Sequence, residues 1–203
     1  MFRSDDDSPS ARLRREIRSR HPGLRKALGA DARAALKHRG DRHELEGGMD
    51  TVIQILRLCW VSDAFLGQAL YRVKAALQRR GVPVLPSLFH RLAIMLAGVA
   101  IDDKVIMHPG VHILHGPVVI GGVTEIHAGV VIAPFASIGL VAGDVGGPTL
   151  EENVRVGTSA SILGRLTVGA GATIGANAAV FSDVPAGATV VGVPGRPTTE
   201  HGG

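Results

Sequence analysis

From Ile120 onward a large aliphatic residue returns at every sixth position. The series runs Ile126, Ile132 and Ile138, meets Asp144 as its one polar member, and resumes with Leu150, Val156, Ile162, Val168, Ile174 and Val180. Four residues after each comes a second, usually small one: Thr124, Val130, Ala136, Ala142, Val154, Ala160, Leu166, Ala172 and Ala178. Helices repeat every 3.6 residues and ordinary strands every second one, so a period of six requires a chain that turns at a fixed short interval. A three-sided coil satisfies it. Each six-residue side points its large aliphatic inward, the small residue lets the corner close, and stacked turns align the aliphatics into parallel ladders. An antiparallel sandwich with glycine-rich turns competes, but its turns are irregularly spaced. The pattern predicts a mainly β chain, a parallel β-helix over residues 101–193, and a tail over 194–203.

Ahead of the coil the period is helical. Ile53, Leu56, Leu58, Trp60, Phe65, Leu66, Leu70, Val73 and Leu77 recur at helix spacing, Ser62-Asp63 is placed to cap a second helix, and Gly81 is placed to end it. Pro83 and Pro86 make a joint, a third helix is expected over Leu88 to Ala97, and Gly98 releases the chain into the coil. Residues 49–100 thus form an N-terminal α-helical region, too short and apolar to stand alone, which should pack on the next domain or a partner subunit. Residues 1–48, punctuated by Pro9, Pro22, Gly23 and Gly47-Gly48, read as a basic, flexible leader. Its Arg12, Arg14, Arg15, Arg18, Arg20, Arg25 and Lys26 carry no interleaved aromatics, so a solvated arm is expected and nucleic acid is not.

Composition sharpens this picture. With 27 glycines and 3% aromatic residues in 203, the core must be built from small and branched aliphatics. A single cysteine, Cys59, allows neither an internal disulfide nor a cysteine metal cluster. No run reaches the roughly 18 apolar residues that cross a bilayer, and the polar start Met1-Phe2-Arg3-Ser4-Asp5 has no signal-peptide core, so a cytoplasmic protein with no membrane partner is expected.

Several strings carry more specific information: Met107-His108-Pro109-Gly110, Leu114-His115-Gly116, Val119-Ile120-Gly121, and the terminal run from Asp183-Val184-Pro185-Ala186-Gly187 to Gly192-Val193-Pro194-Gly195-Arg196. With the Ser62-Asp63 helix segment, they make residues 56–197 resemble the serine acetyltransferase family of hexapeptide-repeat acyltransferases. The resemblance implies a left-handed parallel β-helix, a homotrimer whose helices can pair two trimers, acetyl-CoA as donor, and an active site between subunits. His115 takes the place of the family's general base, and Asp102 and Asp103 are the nearby acids available to orient it. Histidine changes charge near neutral pH, which suits removal of a hydroxyl proton as that oxygen attacks a thioester. Carried over by position, main-chain groups at Leu140, Thr158 and Ala176 hold the pantetheine arm. Their spacing of 18 should stack them on one edge, beside Gly139, Gly157 and Gly175. Arg165 and Arg196 are candidates for CoA phosphates.

The chain also departs from the family's pattern. Leu114 replaces the acid before the base, Ile106 replaces the acid before the His-Pro entry, and Gly143-Asp144-Val145-Gly146-Gly147-Pro148 lacks the family's Arg-His pair. These losses leave the small hydroxyl acceptor unnamed, with an amine such as an amino sugar as the alternative acceptor, and a catalytically degenerate assembly protein as the alternative to an enzyme. The same loop reads either as a regular pair of sides interrupted by Asp144 or as a small lid, with Asp144 bonding its own backbone. His108, His112, His115 and His127 cluster in sequence, yet their spacing does not match the zinc ligands of β-helical carbonic anhydrases, and no metal is expected.

Overall fold

A computed structural model describes residues 8–40, 45 and 47–198. Five helices precede the sheets: α1 (Pro9–Arg20), α2 (Leu24–His38), α3 (Gly47–Val61), α4 (Asp63–Arg79) and α5 (Leu85–Ala97). Fifteen strands follow, and through β13 every third one falls in the same sheet, which makes a three-sided parallel solenoid. Face A holds β1 (Val99–Ile101), β4 (Val118–Ile120), β7 (Ser137–Gly139), β10 (Ser161–Leu163) and β13 (Ala179–Val180). Face B holds β2 (Ile106–Met107), β5 (Val123–Ile126), β8 (Gly146–Leu150) and β11 (Thr167–Val168). Face C holds β3 (His112–Ile113), β6 (Val131–Ile132), β9 (Arg155–Val156), β12 (Thr173–Ile174), β14 (Thr189–Val191) and β15 (Arg196–Thr198).

The six-residue series forms the three inner ladders. Ile101, Ile120, Ile138, Ile162 and Val180 pair in register on face A, and Ile113, Ile132, Val156, Ile174 and Val190 on face C. Met107, Ile126, Leu150, Val168 and Val184 do so on face B. All fifteen are buried, and Val130, Ala136, Val154, Ala160, Ala172 and Ala178 fill the corners behind them. Stacking places identical environments one strand spacing apart, about 4.8 Å, so each coil covers the apolar side of the next.

Asp144 breaks the series because it lies on an excursion. Ile138 on face A and Leu150 on face B, normally one side apart, are separated by two, and residues 140–145 leave the wall between β7 and β8. The insertion equals one side, so the aliphatic phase survives it. This loop is therefore no regular pair of sides, and Asp144 accepts from its own loop's Gly146 N–H at 2.9 Å, as a turn aspartate does.

The helical region departs from expectation in two ways. Described residues of the supposed leader form α1 and α2, which are packed rather than solvated: Ile17, Ala27, Ala32, Ala35 and Leu36 are buried. Secondly, of the apolar stripe read along α4 Phe65 is buried but Leu66, Leu70, Val73 and Leu77 are only half-buried, while Gln68, Tyr71, Arg72 and Lys74 face inward. Their donors meet backbone carbonyls of the first coil. Gln68 donates to Val111, Tyr71 to Val105, Lys74 to Ile101, and Arg72 to Met107 and His108. Arg72 also pairs with Asp31 of α2, at 2.8 and 3.1 Å, and Asp31 accepts from Gly110 N–H at 2.8 Å. Ser62 caps α4 through Phe65 N–H and Gly98 ends α5 in the left-handed region, as expected, but α5 begins at Leu85 and takes Pro86 into its first turn, where a missing N–H costs nothing, instead of beginning at Leu88. At the other end, the expected tail contributes β15, which turns back antiparallel onto β14. Among the described residues, no helix is long and apolar enough to cross a membrane.

Arg72 and Asp31 have side chains only 2% and 1% exposed. Replacing Arg72 by Met strands a buried carboxylate and should cost about 3–5 kcal/mol. Urea unfolding of Arg72→Met against wild type measures this, and adding Asp31→Leu should recover part of the loss.

Candidate active site

The edge between faces C and A gathers His115, Thr158 and Ala176 of the residues singled out in the sequence, with Gly157 and Gly175 beside them. His115 stands there, exposed, between β3 and β4. Gly116, next to it, has no room for a side chain, since a Cβ would approach the Ala97 carbonyl oxygen to 2.0 Å. Successive coils bring Pro134, Thr158 and Ala176 to the same edge: Ser159 N–H donates to Pro134 at 3.0 Å and Asn177 N–H to Thr158 at 2.8 Å. The N–H groups of Thr158 and Ala176 are not taken up by the coil-to-coil bonds that Gly157, Ser159, Gly175 and Asn177 make. At about 4.8 Å per coil, Thr158 lies roughly 10 Å along the edge from the level of His115. Gly157 keeps the wall thin, because a Cβ there would come within 2.6 Å of Ala176 N.

Leu140 does not join them. It follows β7 at the edge between faces A and B, whereas Thr158 and Ala176 follow strands of face C. Counting back 18 from Thr158 crosses the six-residue excursion and lands on the wrong edge; the position stacked beneath Thr158 is Pro134. Gly139 belongs with Leu140, its Cα side lying against the Gly121 carbonyl. Arg165 also falls beyond the C–A edge, held to Asp144 at 2.8–3.0 Å. That contact, with the Gly146 N–H, lowers the exposed Asp144 carboxyl to about 2. Arg196 is paired with Val191 in β15, and its side chain lies outside the described residues.

Asp102 and Asp103 are likewise separated from His115. They follow β1, at the far end of face A from the corner that precedes β4. Asp103 is 2.9 Å from Lys74 Nζ, and Asp102 accepts the Asp103 N–H. Within one chain neither carboxylate can orient His115. The titratable neighbour linked to it is His112, on which His38 at the end of α2 stacks with ring centroids 4.9 Å apart.

Glu125 is the functional candidate that sequence reading passed over. His108 Nε2 lies 2.9 Å and His127 Nε2 3.7 Å from Glu125 Oε1, and His127 Nδ1 lies 3.4 Å from Glu152. The rings of His108 and His127 stack at 4.6 Å. Arg20 of α1 donates to both Glu125 oxygens at 2.7 and 2.6 Å. Partial burial would raise the Glu125 pKa, but the bonds from His108 and Arg20 outweigh it and hold the carboxyl below its ordinary value. The alternation of β5 was the available signal, since it puts Glu125 outward between inward Thr124 and Ile126.

Known proteins bear on the edge just described. No family model matches the chain. A serine acetyltransferase of Helicobacter pylori is 37% identical over 133 residues, covering 64% of this chain and 78% of that protein. The chain belongs to the serine acetyltransferase family. The serine acetyltransferase of Synechococcus elongatus is 35% identical over 147 residues, but the match spans 57% of its length and 68% of this chain. Among solved structures, Neisseria gonorrhoeae serine acetyltransferase in complex with serine aligns with a TM-score of 0.73 and 25% identity, over 96% of this chain and 79% of its own. Soybean serine acetyltransferase complexed with serine aligns at 0.72 and 28%, over 90% and 72%. These family members share both the solenoid and the helical region.

Two buried histidines make a pH prediction. His21 is 4% exposed with both ring nitrogens unpaired, and burial, then Arg72, Lys74 and Arg79, lower its pKa to about 4. His112 is 6% exposed, and burial, then His38, Arg39 and His115, lower it to about 4. Both are neutral in the fold but protonate near 6.5 when unfolded. Their contribution is therefore complete above about pH 6.5 and lost as pH falls toward 4, by roughly 3 kcal/mol each at most. Denaturant titrations at neutral and acid pH check this, and His21→Phe should remove its share of the slope.

Proposed function

We propose that this chain transfers the acetyl group of acetyl-CoA to the hydroxyl of serine or a closely similar small acceptor. The observation that carries the reading is that, in a chain of this family, His115 occupies the same edge as the open main chain of Gly157-Thr158 and Gly175-Ala176. The donor's pantetheine arm lies along that edge, with its thioester end toward the first coils. His115 takes the acceptor's hydroxyl proton while the oxygen attacks the thioester carbon; the tetrahedral oxyanion collapses and expels the CoA thiolate, which recovers a proton. No covalent enzyme intermediate is required. Serine is favoured over an amine acceptor because relatives bear that activity in their names and two solved neighbours hold serine. The losses at Leu114 and in the 143–148 loop then call for other groups to hold the amino acid's charges.

The assembly proposed with this function is a homotrimer. Exposed Val119, Phe135 and Phe181 on and beside face A supply apolar surface for contact between solenoids. Exposed Leu56 and Trp60 on α3 and Met95 on α5 offer surface for pairing two trimers. A cytoplasmic setting fits the donor.

His115→Ala should lower turnover at least about a hundredfold while leaving CoA affinity intact. Steady-state assays with acetyl-CoA and serine, beside CoA binding by calorimetry, provide the check. Equal rates in wild type and variant would remove His115 from the mechanism.

A further inference from the structure

The edge between faces B and C carries a second constellation, away from the proposed acetyl-transfer edge. His108 follows β2, while Glu125 and His127 sit at the end of β5, one coil on. The coil ladder fixes their backbones: His108 N–H donates to Ile126 and His127 N–H to Leu150, at 2.8 and 2.9 Å. One ligand atom from each of the three side chains falls within a 4.8 Å set. A tetrahedral ion with bonds of about 2.0–2.2 Å needs ligand atoms only a little over 3 Å apart, so small rotamer shifts suffice.

Two further observations point to an ion rather than to a solvated cluster. His127 turns one ring nitrogen toward Glu125 and the other toward Glu152. A carboxylate behind an imidazole is the arrangement that orients a metal-ligating histidine and raises its basicity. The two rings are also stacked, 19° from parallel, with both Nε2 atoms directed to one carboxylate oxygen. That convergence leaves Glu125 over-supplied with partners, because Arg20 already spans both its oxygens.

We propose that His108, Glu125 and His127 bind a late first-row divalent cation such as Zn2+ or Co2+, with Glu152 orienting His127 and Arg20 competing for Glu125. Two imidazoles and a carboxylate make a donor set suited to these ions rather than to Ca2+ or Mg2+, and leave a fourth position for water. Arg20 gives the proposal a sign that an adventitious surface site would lack. Entry of the ion requires the guanidinium to withdraw, so removing Arg20 must strengthen binding.

Untagged full-length protein titrated with Co2+, read by the visible absorption of four-coordinate cobalt and by competition with Zn2+, tests this. Wild type is expected to bind one ion per chain. His127→Ala and His108→Ala should each weaken binding at least about a hundredfold, Glu152→Gln about tenfold, and Arg20→Ala should tighten it severalfold or more. His115→Ala should bind as wild type does, which separates this site from the acetyl-transfer edge. Circular dichroism establishes that each variant is folded. Absence of cobalt binding, binding indifferent to both histidine variants, or an Arg20→Ala variant that binds more weakly would each overturn the proposal.

Discussion

A parallel solenoid has an exposed first turn whose carbonyls have no preceding coil to serve them, and satisfying those oxygens is the condition on which the rest of this structure rests. One face of α4 meets it with Gln68, Tyr71, Arg72 and Lys74, four long donors on neighbouring helical turns, each ending on a first-coil carbonyl. Buried cations are costly unless paired. Asp31 answers Arg72, and Asp103 answers Lys74 from the coil itself. The cap thus brings α2 along with it, because Asp31 also binds the Gly110 N–H. Burial raises the Tyr71 pKa to about 12, which keeps its hydroxyl a donor throughout the physiological range.

This arrangement explains which parts of the fold could be read from sequence. The inner ladders repeat a single environment, so Ile126, Ile132, Ile162 and Ile174 announce the coil by position alone. The excursion after β7 kept the phase and showed itself only as a polar entry at Asp144. Nothing repeats in the cap. Its inward donors are Gln, Tyr, Arg and Lys, residues that hydrophobic periodicity assigns to solvent, while Leu70 and Val73 of the helical apolar pattern are only half-buried. The same blindness made a leader of α1 and α2, whose docking depends on Asp31 and on Arg20 reaching Glu125 across more than a hundred positions of chain.

The candidate site divides along similar lines. His115, Thr158 and Ala176 share an edge that motif and coil period both point to. Leu140 failed where a count of 18 crossed the excursion, since a linear count cannot tell an added side from an added corner. Asp102 and Asp103 failed because nearness in sequence is not nearness on a three-sided coil: a half-dozen residues spans a whole face. Glu125 was invisible for the opposite reason, as its partners His108, His127 and Arg20 converge only when successive turns and a distant helix are superposed.

Strand β15 has a consequence of its own. By reversing direction it lays an antiparallel rail along β14, and Gly195 N–H donates to the Ala179 carbonyl beside it. Among the described residues, α4 covers the carbonyls of the first coil and β15 covers the outer edge of β14 on face C, so end-to-end docking of another solenoid meets a partner already in place at each end. Fibre growth along the axis is thereby obstructed, while the long flanks stay free. Because both seals engage only the coil they touch, whole turns between them can be gained or lost without redesigning either, and axial length becomes an adjustable dimension of the architecture.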